Sequence, residues 1–345
     1  MKAVVVHGAK DVRVDELPVP SPAPGGVAVR IVYGGICGSD LHYATDGQNG
    51  PYRVTEPLVL GHEVVGVVAE VGAEAANAPA PGTPVAIHPA TPCAPAGVTE
   101  ATGLHLQPGT YLGSASTRPH TQGGFAEILE VLPRQLRPLP EGLPLRRAVL
   151  AEPFSVALHG VRRLGKRVRG ARVLVSGAGP IGALAVAALK HSGAGEIVAA
   201  DLQEFPLKVA ASVGAGTTVN LAEGGTIEES AFDVVVEAAG AVASLTAALT
   251  AARPGGAVLQ LGMLPSGPVP VAMSTVLAKE LAVSGSQRFD VELDEAIALL
   301  AADESLETVV SHEFDLADAV AAFACAADSA RSSKTVLRVS ADPQL

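Results

Sequence analysis

The residues from Gly34 to Glu63 combine side chains that suit a metal ion. Cys37 stands near the start of this stretch, and His62 and Glu63 end it. A thiolate, an imidazole and a carboxylate are donors that Zn²⁺ takes in a four-coordinate site with one position left open. A single cysteine is usually a small apolar residue of the core, so the prediction rests on the three donors together. The stretch predicts a catalytic metal site.

Three polar residues follow the cysteine. Ser39 and His42 are close enough to it in the sequence for a hydroxyl and an imidazole to pass a substrate proton to solvent. Tyr43 comes next and is a candidate for contact with the substrate. We therefore predict a proton relay through Ser39 and His42 beside the metal.

A glycine-rich run is the second feature with chemical meaning. The apolar residues 171–176 are typical of a buried parallel strand, and an alanine- and leucine-rich helix is predicted to about His191. Glycines between such a strand and helix let backbone N–H groups and the positive end of the helix meet a pyrophosphate. The candidate cofactor-binding residues are Gly177, Gly179, Pro180, Ile181 and Gly182, joined by Gly262 after a later strand.

Asp201 ends the next predicted strand, where a carboxylate accepts hydrogen bonds from the ribose of a dinucleotide. The same charge repels the 2′-phosphate of NADP, and no Arg or Lys follows before Lys208. We therefore predict NAD as the preferred cofactor, with use of NADP left open. A metal site and a dinucleotide site in one chain select alcohol oxidation or carbonyl reduction.

The composition of the chain excludes some classes of binding partner. The chain has 345 residues and a formal net charge of −11, and its basic residues are not clustered. It thus lacks the electrostatic footprint of a protein that binds nucleic acid or an acidic membrane. No apolar run approaches the length of a membrane span, no signal peptide is evident, and three scattered cysteines do not make a disulfide framework. We expect a cytoplasmic protein that binds small molecules.

The pattern of predicted elements changes near the middle of the chain. Short strands separated by Gly and Pro before residue 88 are typical of a small β-barrel. Residues 88–124 are rich in proline and lack periodicity, so they are predicted to form a long loop. From residue 171 onward, strands alternate with helices as in a doubly wound parallel sheet. Two amphipathic helices and a strand at 334–339 complete the predicted order.

These motifs resemble those of zinc-dependent medium-chain alcohol and polyol dehydrogenases. The catalytic segment of that family reads G-x-C-G-S/T-D, and its signature G-H-E-x-x-G-x-x-x-x-x-G fits here at every fixed position from Gly61 to Gly72. The resemblance implies an α/β fold with a GroES-like β-barrel catalytic domain in residues 1–148, completed by about 290–345. It implies a Rossmann NAD-binding domain in 149–289, and a last strand that returns to the first domain.

Three positions bear on the substrate. Glu152 occupies a family position that is a cysteine ligand in simple alcohol dehydrogenases and a glutamate near the metal in polyol dehydrogenases. The resemblance therefore assigns Glu152 to the catalytic site, and either Glu63 or Glu152 is the third protein ligand of zinc. Tyr43 and Arg288 match positions that line the substrate pocket of sorbitol dehydrogenases.

Two segments resemble a narrower branch of the family. Residues 112–125 and 279–289 are similar to L-idonate 5-dehydrogenases, whose aldonate substrate needs a cation that Arg288, Arg118 or His120 would supply. We predict oxidation of L-idonate to 5-ketogluconate, with a sorbitol- or xylitol-type polyol dehydrogenase as the alternative. A cofactor-binding protein without catalysis is the hypothesis from another class, and the complete set of metal donors speaks against it.

The proline-rich loop bears on the number of metal ions. In many relatives it binds a second, structural zinc through four cysteines, whereas here Cys93 stands alone, with Ala96 and Thr99 near the expected positions. One thiolate does not hold a structural zinc, so we predict one catalytic zinc per chain. We also expect the chain to form a homodimer or homotetramer.

Overall fold

The fold is described from a computed structural model, which covers residues 1–92, 104–106 and 109–343. Its first part consists of short strands and one helix. The strands are β1 (Lys2–Gly8), β2 (Asp11–Glu16), β3 (Val27–Gly35), β4 (Gln48–Asn49), β5 (Tyr52–Arg53), β6 (Leu58–Val59), β7 (Glu63–Val71), β8 (Pro84–Ile87), β9 (Ala90–Pro92), β10 (Gly109–Tyr111), β11 (Ile128–Val131) and β12 (Leu136–Pro138). Helix α1 spans Gly38–Asp46, and 3₁₀ turns cover Leu104–Leu106 and Pro133–Gln135.

In the second part, helices alternate with strands. The elements in order are α2 (Leu145–Ala148), α3 (Ala151–Leu164), a 3₁₀ turn (Gly165–Arg167), β13 (Arg172–Ser176), α4 (Pro180–His191), β14 (Glu196–Asp201), α5 (Glu204–Val213), β15 (Thr217–Asn220), β16 (Phe232–Glu237), α6 (Val242–Ala251), β17 (Ala252–Gln260), α7 (Met273–Ala278) and β18 (Ala282–Gly285). The last part contains α8 (Leu293–Ala302), β19 (Val310–Asp315), α9 (Ala319–Ala327) and β20 (Lys334–Arg338), with 3₁₀ turns at Glu304–Val309 and Leu316–Asp318.

The two largest sheets of the first lobe pack around a shared apolar core. The larger sheet has the order β12-β8-β7-β3-β20-β19, with β11 also paired to β3, and the smaller sheet has the order β2-β1-β6. Alternate residues of the strands, such as Val27, Val29 and Ile31, point into the shared core. Strand β20 pairs antiparallel with β3, which confirms the predicted return of the last strand. This pairing supports our proposal that residues 290–345 complete the first domain.

The second lobe contains a six-stranded sheet in the order β15-β14-β13-β16-β17-β18, and all its neighbouring strands are parallel. This is the order of a doubly wound dinucleotide-binding sheet, in which ligands bind at the carboxyl ends of the central strands. Both faces are covered, because Val173 and Val175 belong to one core and Leu174 to the other. The predicted fold class is therefore confirmed.

The prediction of a long loop over residues 88–124 is partly wrong. Strands β9 and β10 pair antiparallel, with Thr91 opposite Thr110 and Ala90 opposite Tyr111. Two strands of three residues are too short to show an alternating pattern in the sequence. The predicted absence of a structural zinc rests on three positions. These positions, Cys93, Ala96 and Thr99, lie outside the described residues.

None of the helices in the described ranges is long and apolar enough to cross a membrane.

Candidate active site

Pairing of β3 with β7 brings the two ends of the cysteine-to-glutamate stretch together. Gly35, at the end of β3, lies opposite Glu63, at the start of β7. A Cβ atom on Gly35 would come within 2.2 Å of the Glu63 carboxylate, so the close approach requires glycine at this position. Two residues further on, Cys37 is the N-cap residue of α1. The two strands therefore set the distance between the thiol and the His62–Glu63 pair.

The donor atoms of Cys37, His62 and Glu63 all lie within 4.8 Å of one another, and this is the one such group of three among the residues that the structure describes. His62 and Glu63 are buried, and Cys37 is partly buried. A thiolate, an imidazole and a carboxylate at this spacing fit a zinc ion. The three residues that the sequence predicts as metal ligands are thus brought together.

Asp40 supports both ends of this group. Its carboxylate is fully buried and accepts hydrogen bonds from the backbone N–H of Cys37, at 2.9 Å, and of Gly61, at 3.3 Å. It also faces Nδ1 of His62 at 3.9 Å. The sequence contains Asp40 within the family motif, but only the structure shows that it orients the cysteine and the histidine. Carboxylates placed behind ligating histidines commonly fix the ring and raise its basicity.

Negative charge dominates the group and favours a bound cation. Burial alone lowers the pKa of His62, but the nearby Cys37, Asp40 and Glu152 outweigh this effect and raise the pKa to about 10. Burial has the opposite effect on the acidic group of Asp40, whose pKa it raises, because the buried surroundings solvate a negative charge poorly. A zinc ion would neutralise this concentration of acidic groups, so the charge of the site agrees with its geometry.

Lys334, which the sequence did not indicate, forms a buried ion pair with Glu63. Its Nζ atom donates to both carboxylate oxygens at 2.7 Å and to the carbonyl of Ile36 at 3.0 Å. The side chains of Lys334 and Glu63 are 3% and 1% exposed. Burial lowers the pKa of Lys334, but the charges of Glu63 and Cys37 outweigh it and leave the pKa raised. Glu63 is therefore shared between the metal donors and a lysine from the C-terminal strand.

Glu152 lies in the first turn of α3 beside the three donors but is not one of the group within 4.8 Å. The residue is 5% exposed, and its carboxylate accepts a hydrogen bond of 2.7 Å from the hydroxyl of Tyr111. Burial is the main reason why the pKa of Glu152 is raised. Glu63 is therefore better placed than Glu152 to be the third protein ligand of a zinc ion.

Tyr111 and Arg288 extend the site toward the second lobe. The ring of Tyr111 lies 5.5 Å from the ring of His62, and the guanidinium carbon of Arg288 lies 4.0 Å from the Tyr111 ring centroid. Arg288 thus stands near the metal donors, where the sequence predicted a substrate contact. Tyr111 was not among the predicted site residues, because the segment that contains it has no periodic pattern.

The residues predicted on α1 have different surroundings. His42 is exposed, and its Nδ1 lies 3.4 Å from Asp46. His42 lines a cavity of about 380 Å³ together with Gly240 and Met263 of the second lobe. Ser39 is partly buried one turn before it, and no hydrogen bond joins the two side chains in the described part of the chain. The proton relay therefore stays a prediction, and His42 is exposed to solvent.

Tyr43 belongs to the core of the first lobe. It is 2% exposed, and its hydroxyl accepts a hydrogen bond of 3.1 Å from the backbone N–H of Ala115. His120, an alternative reader of a substrate carboxylate, is also built into the fold. Its ring nitrogens lie 3.0 Å from the N–H of Thr55 and 2.9 Å from the carbonyl of Thr117. These contacts make His120 unsuitable as a carboxylate reader, whereas Arg118 is exposed.

The glycine-rich turn has the geometry of a dinucleotide site. Gly177 has φ of +96°, which glycine adopts without strain, and a Cβ on Gly182 would come within 1.9 Å of the Gly177 carbonyl. Nothing lies within 4 Å of a Cβ placed on Gly179, so its backbone faces open space at the start of α4. Pro180 begins α4 without an N–H group of its own, and the free N–H groups of Ile181 and Gly182 in this first turn suit a pyrophosphate.

Asp201 and Gly262 lie at the carboxyl ends of β14 and β17, on the same edge of the sheet as the turn. Asp201 accepts hydrogen bonds from the N–H groups of Ala178, at 2.7 Å, and Gln203, at 2.9 Å. A Cβ on Gly262 would come within 2.2 Å of the Gly240 nitrogen, so these two loops pack backbone to backbone. The predicted cofactor residues therefore share one edge of the sheet.

Replacing Asp201 with alanine should lower kcat/KM for NAD and improve NADP relative to it. The substitution removes an acceptor for the ribose hydroxyls and a charge that repels a 2′-phosphate, and each charged hydrogen bond contributes about 1.5–3 kcal/mol. We expect the NAD/NADP ratio of kcat/KM to fall about tenfold or more. Glu204→Ala, which removes an exposed carboxylate from the start of α5, is the matched control and should leave the ratio unchanged. An unchanged ratio in the Asp201 variant would show that this carboxylate does not contact the ribose.

Two parts of the chain match known protein families. Residues 23–141 match the alcohol dehydrogenase GroES-like domain, and residues 180–302 match the zinc-binding dehydrogenase family. L-Idonate 5-dehydrogenase (NAD(P)(+)) of Escherichia coli is 34% identical over 342 residues, which cover 97% of this chain and 98% of that protein. Sorbitol dehydrogenase of Bacillus subtilis is 32% identical over 308 residues, covering 87% and 86%. The crystal structure of L-idonate 5-dehydrogenase from Escherichia coli superposes with a TM-score of 0.91 at 33% identity, covering 98% of this chain and 97% of that one.

The chain belongs to the zinc-binding alcohol dehydrogenase family. It is an oxidoreductase that acts on alcohol groups with zinc and a nicotinamide cofactor, as the sequence predicted. The relatives support a polyol or sugar-acid dehydrogenase. The hypothesis of a cofactor-binding protein without catalysis has no support from these comparisons.

Proposed function

We propose that the chain oxidises a secondary alcohol of a sugar acid with NAD, and that the reaction is the conversion of L-idonate to 5-ketogluconate. The surroundings of Arg288 are the observation that supports a sugar acid as the substrate. Its half-buried guanidinium stands over Tyr111 near the metal donors, and no carboxylate of the described residues lies within 4.0 Å of it. A cation that has no acidic partner among the described residues suits the carboxylate of an aldonate.

The residues divide the work of such an oxidation. When bound, zinc would polarise the alcohol oxygen and NAD would accept the hydride. Cys37, His62 and Glu63 would hold the ion. Ser39 would accept the hydroxyl proton, and His42 would release it to solvent through the cavity that it lines.

Replacing Arg288 with methionine should separate the two substrate classes. Methionine keeps much of the apolar stem and removes the charge. Loss of a charge-assisted hydrogen bond to the carboxylate should lower kcat/KM for idonate by about 10- to 150-fold, or about 1.5–3 kcal/mol. Sorbitol and xylitol carry no carboxylate and should lose much less.

Arg118→Met is the matched control for this test, because Arg118 is an exposed arginine and the second predicted reader. We expect it to leave both substrates unaffected. Equal losses on idonate and sorbitol in Arg288→Met would show that Arg288 supports the fold or the cofactor. A loss of activity on idonate alone in Arg118→Met would show that Arg118 binds the substrate carboxylate instead.

A polyol dehydrogenase of the sorbitol or xylitol type is the second candidate. Glu152 supports it, since a glutamate at this place is the polyol-type residue in the family resemblance, and it lies beside the metal donors in the structure. The sorbitol dehydrogenase of Bacillus subtilis is nearly as similar to this chain as the idonate enzyme. A wild-type enzyme that oxidises sorbitol or xylitol and ignores idonate would establish this candidate in place of the first.

We also propose that the chain forms a homodimer or homotetramer in the cytoplasm. Strand β18 is the outer strand of the parallel sheet, and Val283 on it is 48% exposed, with Met273 and Leu277 of the preceding helix at 62% and 81%. Unpaired edges with apolar residues favour pairing with a second copy. The Cys37 thiol must remain reduced to bind metal, which favours the cytoplasm. Light scattering that gives the mass of a monomer would contradict the oligomer.

A further inference from the structure

The side chain of Tyr111 contacts both Glu152 and Arg288. It ends β10 in the first lobe and is 8% exposed. Its hydroxyl donates to Glu152 Oε1 at 2.7 Å, while its ring face carries the Arg288 guanidinium at 4.0 Å. Glu152 comes from α3, and Arg288 comes from the segment between β18 and α8. One side chain therefore connects three separate segments at the active site.

Both contacts restrict groups that would otherwise be free to move. Arg288 has φ of +52°, a conformation that costs a non-glycine residue energy and persists only where the surroundings hold it. The guanidinium has no hydrogen bond or ion pair with any other described side chain, so the Tyr111 ring is its principal partner. The Glu152 carboxylate is buried, and the hydroxyl of Tyr111 is the one side-chain donor to it within the described ranges.

We propose that Tyr111 is a specificity-determining positioning residue that sets the separation between the Arg288 guanidinium and the Glu152 carboxylate. This rests on the proposed function, in which Arg288 binds the distant end of the substrate and Glu152 faces the reacting end. A fixed separation selects secondary alcohols that carry a carboxylate at a matching distance. Neutral polyols bind without using the cation, so they depend on Tyr111 only through Glu152.

Two variants test the two contacts of Tyr111 separately. Tyr111→Phe keeps the ring and removes the hydroxyl, so kcat should fall about tenfold or more on every substrate while KM for idonate changes little. Tyr111→Leu also removes the ring, so KM for idonate should rise by a further factor of about 2 to 30, and KM for sorbitol should not. Restoration of the idonate KM by phenylalanine alone is a result that a purely structural role would not give.

Pairing each variant with its partner tests whether the effects share one cause. In a Glu152→Gln background, Tyr111→Phe should lower kcat by less than about threefold, and in an Arg288→Met background, Tyr111→Leu should not raise the idonate KM further. Calorimetric binding of idonate to the enzyme–NADH complex gives the same comparison without turnover, and thermal unfolding shows whether each variant is folded. Full, additive losses in both backgrounds, or equal losses on idonate and sorbitol, would overturn the proposal.

The outcome can be told apart from failure of the proposed function. If the wild type oxidises a neutral polyol and no aldonate, the aldonate assignment and the Arg288 part of the proposal fail together. The Tyr111–Glu152 pair is then measured on that polyol, where additive losses would remove the remaining part and loss of the Tyr111→Phe effect in Glu152→Gln would support it.

Discussion

Replacing Cys37 with alanine should remove the bound zinc and abolish NADH formation. The thiolate is one of three donors within 4.8 Å, and the remaining carboxylate donor, Glu63, is already paired with Lys334. Mutation of residues behind metal ligands typically lowers metal affinity by about 10- to 100-fold, so loss of a direct ligand should cost more than about 100-fold. Zinc content after dialysis and the rate of NADH formation report the two effects separately.

The other cysteines provide matched controls for this variant. Cys93 is the single cysteine in the proline-rich sequence 88–124, and Cys325 is a free thiol outside the group of donors. Cys93→Ala and Cys325→Ala should each keep nearly full activity and one zinc per chain. A Cys37→Ala protein that retains zinc and activity would contradict the metal site, and two zinc ions per wild-type chain would contradict the prediction of a single one.

Replacing Lys334 with methionine should destabilise the fold by about 3–5 kcal/mol, because it leaves the Glu63 carboxylate buried without its partner. The ammonium also donates to the Ile36 carbonyl, just before Cys37. The free energy of unfolding in urea, measured on zinc-free protein so that metal binding does not mask the effect, gives the magnitude.

Lys208→Met is the matched control, since Lys208 pairs with Glu204 at 3.7 Å on the surface, where both side chains are more than half exposed. Such exposed pairs contribute about 0–1 kcal/mol. Adding Glu63→Gln to Lys334→Met should recover part of the lost stability, because the unpaired charge is removed. Equal stability of Lys334→Met and wild type would mean that the buried pair does not hold the site together.

Local patterns predict those parts of the site that neighbouring strands and turns create. The Cys37 motif follows the end of β3, and the His62–Glu63 motif begins β7. These two strands pair directly, so the two motifs lie next to each other in the fold. The glycine run lies between a buried strand and a helix, and its position at the edge of the sheet follows from that order. Both features could therefore be predicted before the fold was known.

Contacts between distant segments could not be predicted in this way. Lys334 reaches Glu63 only because of the register of β20 on β3, and an alternating strand with a lysine at its start gives no sign of a buried charge. Tyr111 reaches Glu152 and Arg288 from a short strand without periodicity. Tyr43 shows the opposite case, since a polar residue beside a catalytic motif lies in the core.

NADH formation by zinc-loaded protein tests the central claim most directly. The substrates to compare are idonate, gluconate, sorbitol, xylitol, threonine and butanediol, each with the zinc-free protein as its control. We expect zinc-dependent reduction of NAD with a sugar acid or polyol, and the highest kcat/KM with idonate. Absence of NADH formation with all six substrates, or equal rates with and without zinc, would contradict the account.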